Sequence, residues 1–93
     1  MAKSIIQKEK ECLICRTTYG LHDHHVFYGT ANRRLSEKYG LKVWLCMEHH
    51  TGNNGVHRNP KLDSVLKRIG QRKFENRCGS REDFMRIFGR NYL

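Results

Sequence analysis

LHDHHVFYGT, residues 21 to 30, packs three histidines and one aspartate into positions 22 to 25. Imidazole is a common metal ligand, and its unperturbed pKa lies closer to neutrality than that of any other side chain. A cluster this dense points to a metal, a proton-transfer group, or both. The bland alternative is a solvated polar turn, and the rest of the chain decides between them. The run V-F-Y at its end suits a strand over Leu21 to Tyr28. Side chains alternate along a strand, so His24 and His25 face opposite ways and can serve a metal and a water respectively.

On either side of this stretch lie two ligand pairs, Cys12-Leu13-Ile14-Cys15 and Cys46-Met47-Glu48-His49. Two intervening residues let both side chains of a pair fold back to one ion, and tetrahedral Zn²⁺ takes four such ligands. The spacing predicts a structural zinc on Cys12, Cys15, Cys46 and His49, with His50 an alternative fourth ligand. Such an ion would pin the segment around residue 12 to the end of a second strand. Its binding energy is largely folding energy. Cys78 has no partner at ligand spacing and is expected as a small buried apolar side chain.

Between the pairs, Cys12 to Gly20 reads as a tight turn between two short strands. Ala31 to Tyr39 reads as a helix closed by Gly40, and Leu41 to Leu45 as the second strand. The Gly- and Asn-rich CMEHHTGNNGVHRNP cannot stay helical throughout. Asn59 followed by Pro60 opens another helix, with Leu62, Val65, Leu66, Ile69 and Phe74 on one face and Gly79 at its end. Ser80 and Asp83 bracket a last helix start, with Phe84, Ile87 and Phe88 inward.

The chain has 93 residues, 38% of them hydrophobic. That is one domain, and a chain this short often needs a metal or disulfides to hold a modest core. No apolar run suits a signal peptide or a membrane span, so the expected address is the cytoplasm, with the cysteines reduced and available to metal. Lysine and arginine total 18 against 9 acidic residues, a formal charge of +9. That surplus favours a polyanion, nucleic acid above all, and no basic amphipathic helix argues for a membrane.

This order of parts resembles the HNH, or ββα-metal, nucleases, and the chain as a whole looks like the small members carried by phages and prophages. The resemblance rests on Cys12-x2-Cys15, His24-His25-Val26, Leu45-Cys46-x2-His49-His50 and His57, and covers residues 12 to 60, about half the chain. It implies a small α+β fold: a ββα-metal motif with structural zinc, a short helix inserted between the strands, and C-terminal helices. One domain would span 1–93, with 1–11 flexible, 12–60 the zinc-stapled core and 60–93 the C-terminal helices. His25 would be the general base. His24 and His50 would ligate a catalytic divalent metal (Mg²⁺, Mn²⁺, Ni²⁺ or Zn²⁺), with His57 a third ligand. DNA would be held by its phosphates on Arg33, Arg34, Lys38, Arg58, Arg68 and Arg72.

Three departures from the family pattern stand out. His49 replaces a cysteine. Leu41 stands where the family has an asparagine, leaving Asn32, Asn53 or Asn54 to orient His25. The distance from His50 to His57 exceeds one helical turn. His22 and Asp23 read as strand-flanking polar residues, with Asp23 a possible partner behind the metal ligands. The implied activity is metal-dependent hydrolysis of DNA phosphodiester bonds in a phage- or prophage-infected cell. A non-catalytic, zinc-stapled nucleic-acid-binding module would explain the charge and the zinc equally well. A protein–protein adaptor would need neither the second histidine set nor the charge.

Overall fold

The computed structural model describes residues 3–93. The chain is a small α+β fold in the order β1 (Leu21–His25), α1 (Thr30–Tyr39), β2 (Lys42–Cys46), α2 (Met47–His50), α3 (Pro60–Arg77) and α4 (Arg81–Phe88). The two strands form an antiparallel sheet with His24 opposite Val43 and His25 opposite Lys42.

Alternation gives this small sheet two unlike faces. His22 and His24 share a face with Val43 and Leu45, which are buried, while Asp23 and His25 share the other with Lys42 and Trp44. The N-terminal segment runs along the outer edge of β2 and reaches over the Trp44 side chain. Ser4 Oγ donates to the Lys42 carbonyl, Gln7 Oε1 accepts from Trp44 N at 2.9 Å, and Lys10 Nζ sits 4.7 Å over the Trp44 ring. Ile5 and Ile6 pack against the core. Within the segment 1–11, Ser4, Gln7 and Lys10 thus contact β2; residues 1 and 2 lie outside the described residues.

The strand predicted to run through V-F-Y stops at His25, and the cause is local. Val26 N still donates to the Leu41 carbonyl, but Phe27 N donates to Ser36 Oγ at 3.1 Å and Ser36 Oγ donates back to Phe27 O at 2.7 Å. One buried hydroxyl thus satisfies both backbone groups of Phe27 and turns the chain off the ladder. The Phe27 ring is then free to pack on Phe84, Phe88 and Tyr92, with centroids 4.9–5.2 Å away. Of the two short strands expected to flank the Cys12–Gly20 turn, only β1 follows it; none precedes it among the described residues. Arg16 N donates to Cys12 O and Cys12 N to Thr17 O, so the loop closes on itself, and Leu13 N alone reaches β2, at Trp44 O.

The helix ends follow their sequence signals. Gly40 is left-handed at φ 72°, and Leu41 N returns to Ser36 O. Asn59 Oδ1 accepts from Leu62 N with Pro60 at the first helical position. Ser80 and Asp83 form a reciprocal capping box. The inward face of α3 is centred on Leu66, Gly70 and Phe74, four residues apart, which leaves Val65 at its edge, 40% exposed. Gly70 lets α3 lie against Val26 and Phe27, where an added Cβ would come within 3.0 Å of both side chains. Phe84 and Phe88 are buried as predicted, and Ile87 packs at the core margin. Among the described residues, no helix is long and apolar enough to cross a membrane.

Candidate metal centre

The turn after Cys12, the end of β2 and the short α2 bring Cys12, Cys15, Cys46 and His49 together, each offering an atom within 4.8 Å of the others. Cys15 Sγ lies 3.8 Å from Cys46 Sγ, and His49 Nδ1 lies 3.2 Å from Cys46 Sγ and 3.7 Å from Cys12 Sγ. A tetrahedral ion with Zn–S bonds of about 2.3 Å separates its sulfurs by about 3.8 Å. The four residues therefore fit zinc in number, type and spacing, and this Cys₃His group could hold such a metal. Burial works against ionising Cys12. Backbone N–H groups of Cys15, Cys46 and Ile14 more than offset it and bring the thiol down to about 6, ready to ligate.

His49 and His50 part company because successive residues of a helix point about 100° apart. His50 turns away from the cysteines toward β1, where it meets His24 and His57; these three form a second group within 4.8 Å. Ring centroids are 5.2 Å apart for His24 and His50, 5.4 Å for His24 and His57, and 4.9 Å for His50 and His57. His50 Nε2 and His57 Nε2 are 3.2 Å apart.

The loop between them solves the long spacing by coiling back. Gly55 N donates to Gly52 O, Val56 N to His49 O and His57 N to His50 O, with buried Val56 as the anchor. Gly52 and Gly55 permit this coil, since a Cβ on Gly55 would sit 2.6 Å from the His50 carbonyl oxygen.

His24 is 2% exposed, and its Nε2 is buried without a hydrogen-bond partner. Burial, reinforced by His50 and His57 nearby, pushes its pKa down to about 4, so the ring is neutral at pH 7 with a lone pair available. Burial, then His57 and His22, also lowers His50. An orphaned ring nitrogen beside two further imidazoles is what a nitrogen-ligated divalent ion would satisfy. Behind His50 stands His22, whose Nδ1 is 2.8 Å from His50 Nδ1. With His50 Nε2 turned to an ion, its Nδ1–H donates to His22, which fixes the tautomer. His22 was expected only to flank the strand, although its place two residues from His24 already puts both on one face. Asp23, on the other face, lies near Lys42 rather than behind His50.

His25 lies on the opposite face of β1, where its Nε2 is 2.9 Å from Glu37 Oε1. Lys42 Nζ reaches both oxygens of Glu37 at 3.0 Å and lies 3.7 Å from Asp23 Oδ2. The hydrogen bonds from His25 and then Lys42 hold the Glu37 carboxyl down at about 2. Asp23, His25 and Glu37 also lie close enough to ligate an ion, but the Lys42 ammonium already fills the cationic position. None of Asn32, Asn53 or Asn54 bonds His25 among the described residues, and Asn54 donates to Glu48 instead. Glu37 takes that place. The signal for it was a lone acid in the last turn of a helix otherwise rich in arginine and lysine, where the helix dipole disfavours negative charge.

The two histidine sets open on one cleft of about 220 Å³, lined by Asp23, His24, His25, Tyr28, Arg33, His50 and His57. A neighbouring depression of about 370 Å³ is lined by His25, Thr30, Arg33, Arg34 and Glu37. Tyr28 OH donates to Asp63 Oδ2, and Lys67 bonds the same oxygen while its Nζ lies 4.4 Å over the Tyr28 ring, which makes a rigid wall. Of the six basic candidates, Arg33 and Arg34 border the clefts. Lys38, Arg58, Arg68 and Arg72 are exposed on the surface without lining them. Cys78 is exposed rather than buried, a correction: it caps α3 just past the face that packs inward. Searches of family models, curated proteins and solved structures returned no match to this chain.

Proposed function

We propose that the protein is a metal-dependent endodeoxyribonuclease of the HNH type, with the Cys₃His group as its structural zinc site. One observation carries the reading: the buried, unpartnered His24 Nε2 meets His50 and His57 in a cleft that also holds His25 and Arg33. A zinc-stapled binding module has no use for a second nitrogen-donor set beside an imidazole held by a carboxylate. The formal charge of +9 supports a polyanionic substrate.

His24, His50 and His57 would hold a divalent ion that supplies Lewis acidity toward a phosphate oxygen. The chain's own residues do the rest. An ionised carboxylate can only accept, so the neutral form of His25 carries its proton on Nε2 and offers Nδ1 as its basic nitrogen. In the cleavage step Nδ1 takes a proton from water as the water oxygen bonds to phosphorus. The P–O3′ bond breaks, leaving a 5′-phosphate and, after protonation from solvent, a 3′-hydroxyl. Arg33 and Arg34 hold the flanking phosphates by charge-assisted hydrogen bonds.

The test is plasmid nicking across Mg²⁺, Mn²⁺, Ni²⁺ and Zn²⁺, with His25→Ala beside the wild type. The wild type should cut. The variant should keep its zinc and its DNA affinity while losing about 10²- to 10⁴-fold in rate. Binding without cleavage under every metal would replace the enzyme with a binding module.

A further inference from the structure

We infer that Glu37 is the positioning residue for His25: its carboxylate, clamped by Lys42, fixes the imidazole as the Nε2–H tautomer and aims Nδ1 into the cleft. The inference rests on the nuclease reading for its catalytic consequence, but the pairing itself is a property of the folded chain.

An imidazole next to a metal cluster can fail as a base in two ways. It can take the wrong tautomer, or it can rotate about χ2 and offer the wrong nitrogen. Glu37 blocks both. Its Oε1 stands 2.9 Å from His25 Nε2, and an ionised carboxylate offers that nitrogen nothing to accept from. The carboxylate is in turn immobile. Lys42, 8% exposed, bonds both oxygens at 3.0 Å, and the strand register sets Lys42 directly opposite His25. Gly40 delivers Glu37 to this point by turning α1 tightly back into β2. Lys42 has a second effect. Its charge balances Glu37, so a carboxylate beside the cleft does not repel phosphate as a bare one would. Glu37 does not itself take the proton, because His25 and Lys42 both favour its ionised form.

The experiment uses the zinc-loaded full chain, with long-range ¹H–¹⁵N correlation of the His25 ring in mildly alkaline buffer and steady-state cleavage alongside. Wild-type His25 should hold a single Nε2–H tautomer. Glu37→Ala should keep its zinc and its far-UV spectrum, show mixed tautomers, and lose about 10- to 100-fold in kcat with KM near the wild-type value, the scale on which residues that orient functional histidines act. Glu37→Gln, of the same size, covers the case in which the alanine variant does not fold, and it too should lose kcat rather than KM. An Nδ1–H tautomer in the wild type, or an unchanged tautomer and kcat in both variants, overturns the inference. A wild type that holds the Nε2–H tautomer yet cuts no DNA overturns the nuclease reading and leaves the orienting role of Glu37 supported.

Discussion

Two adjacent histidines with unlike surroundings give the clearest test at the scale of single residues. His49 lies against two cysteine sulfurs, and His50 lies between His22 and His57. His49→Ala should lower zinc content from about one ion per chain to near none and unfold much of the protein, since structural zinc supplies folding energy. His50→Ala should keep both zinc and fold while its affinity for a second divalent ion collapses. Elemental analysis with thermal melts separates the two, and the reverse pattern would exchange the assignments. Glu37 gives the pH test. Its carboxyl falls from an ordinary 4.5 to about 2 in the fold, so it stabilises the protein fully above pH 4.5 and loses that contribution as pH falls through about 2. Denaturant unfolding of wild type and Glu37→Gln should therefore show a stability gap that is constant near neutrality and closes in acid. Zinc release in acid acts on both chains alike, so the difference isolates Glu37. A gap that widens on acidification has the wrong sign for this network.

Among the elements, the loop from Thr51 to Arg58 is the one whose shape the cleft depends on. It coils so that Val56 and His57 bond back to His49 and His50, and Gly55 approaches the His50 carbonyl too closely for a side chain. Gly55→Ala should force the coil open and carry His57 away, while the cysteines, held by other segments, stay in place. Calorimetric titration of zinc-loaded protein with Ni²⁺ or Mn²⁺ should then show second-site affinity reduced by about tenfold or more. Unaltered affinity would mean that His57 is not a ligand.

At the scale of the molecule, the core is small and concentrated in an aromatic group of Phe27, Phe74, Phe84 and Phe88 beneath α3 and α4. The Cys₃His group lies elsewhere, joining the Cys12 turn to β2 and α2. Strong chelation should accordingly abolish much of the circular-dichroism signal, and a metal-free chain that melts unchanged would show that the aromatic core suffices. DNA affinity should fall steeply with salt. Replacing Arg33 and Arg34 by alanine should reduce the slope of log affinity against log salt by about 2 if each contacts one phosphate. A wild-type affinity that stays flat with salt would instead favour a protein partner.

What the sequence determined by itself was everything set by short range. The two ligand pairs, the caps at Asn59 and Ser80, the turn at Gly40 and the opposite facing of His24 and His25 follow from backbone geometry, which fixes where side chains a few residues apart can point. Tertiary structure alone decided the long-range partners that neither spacing nor resemblance named. It set Glu37 and Lys42 on His25, put His22 behind His50, and brought Ser4 and Gln7 to the edge of β2. It also stopped β1 at His25, because the Ser36 hydroxyl competes for the Phe27 backbone. Each of these depends on the path the chain takes between distant segments, and that path is chosen by packing and hydrogen bonding summed over the whole fold rather than by any local pattern.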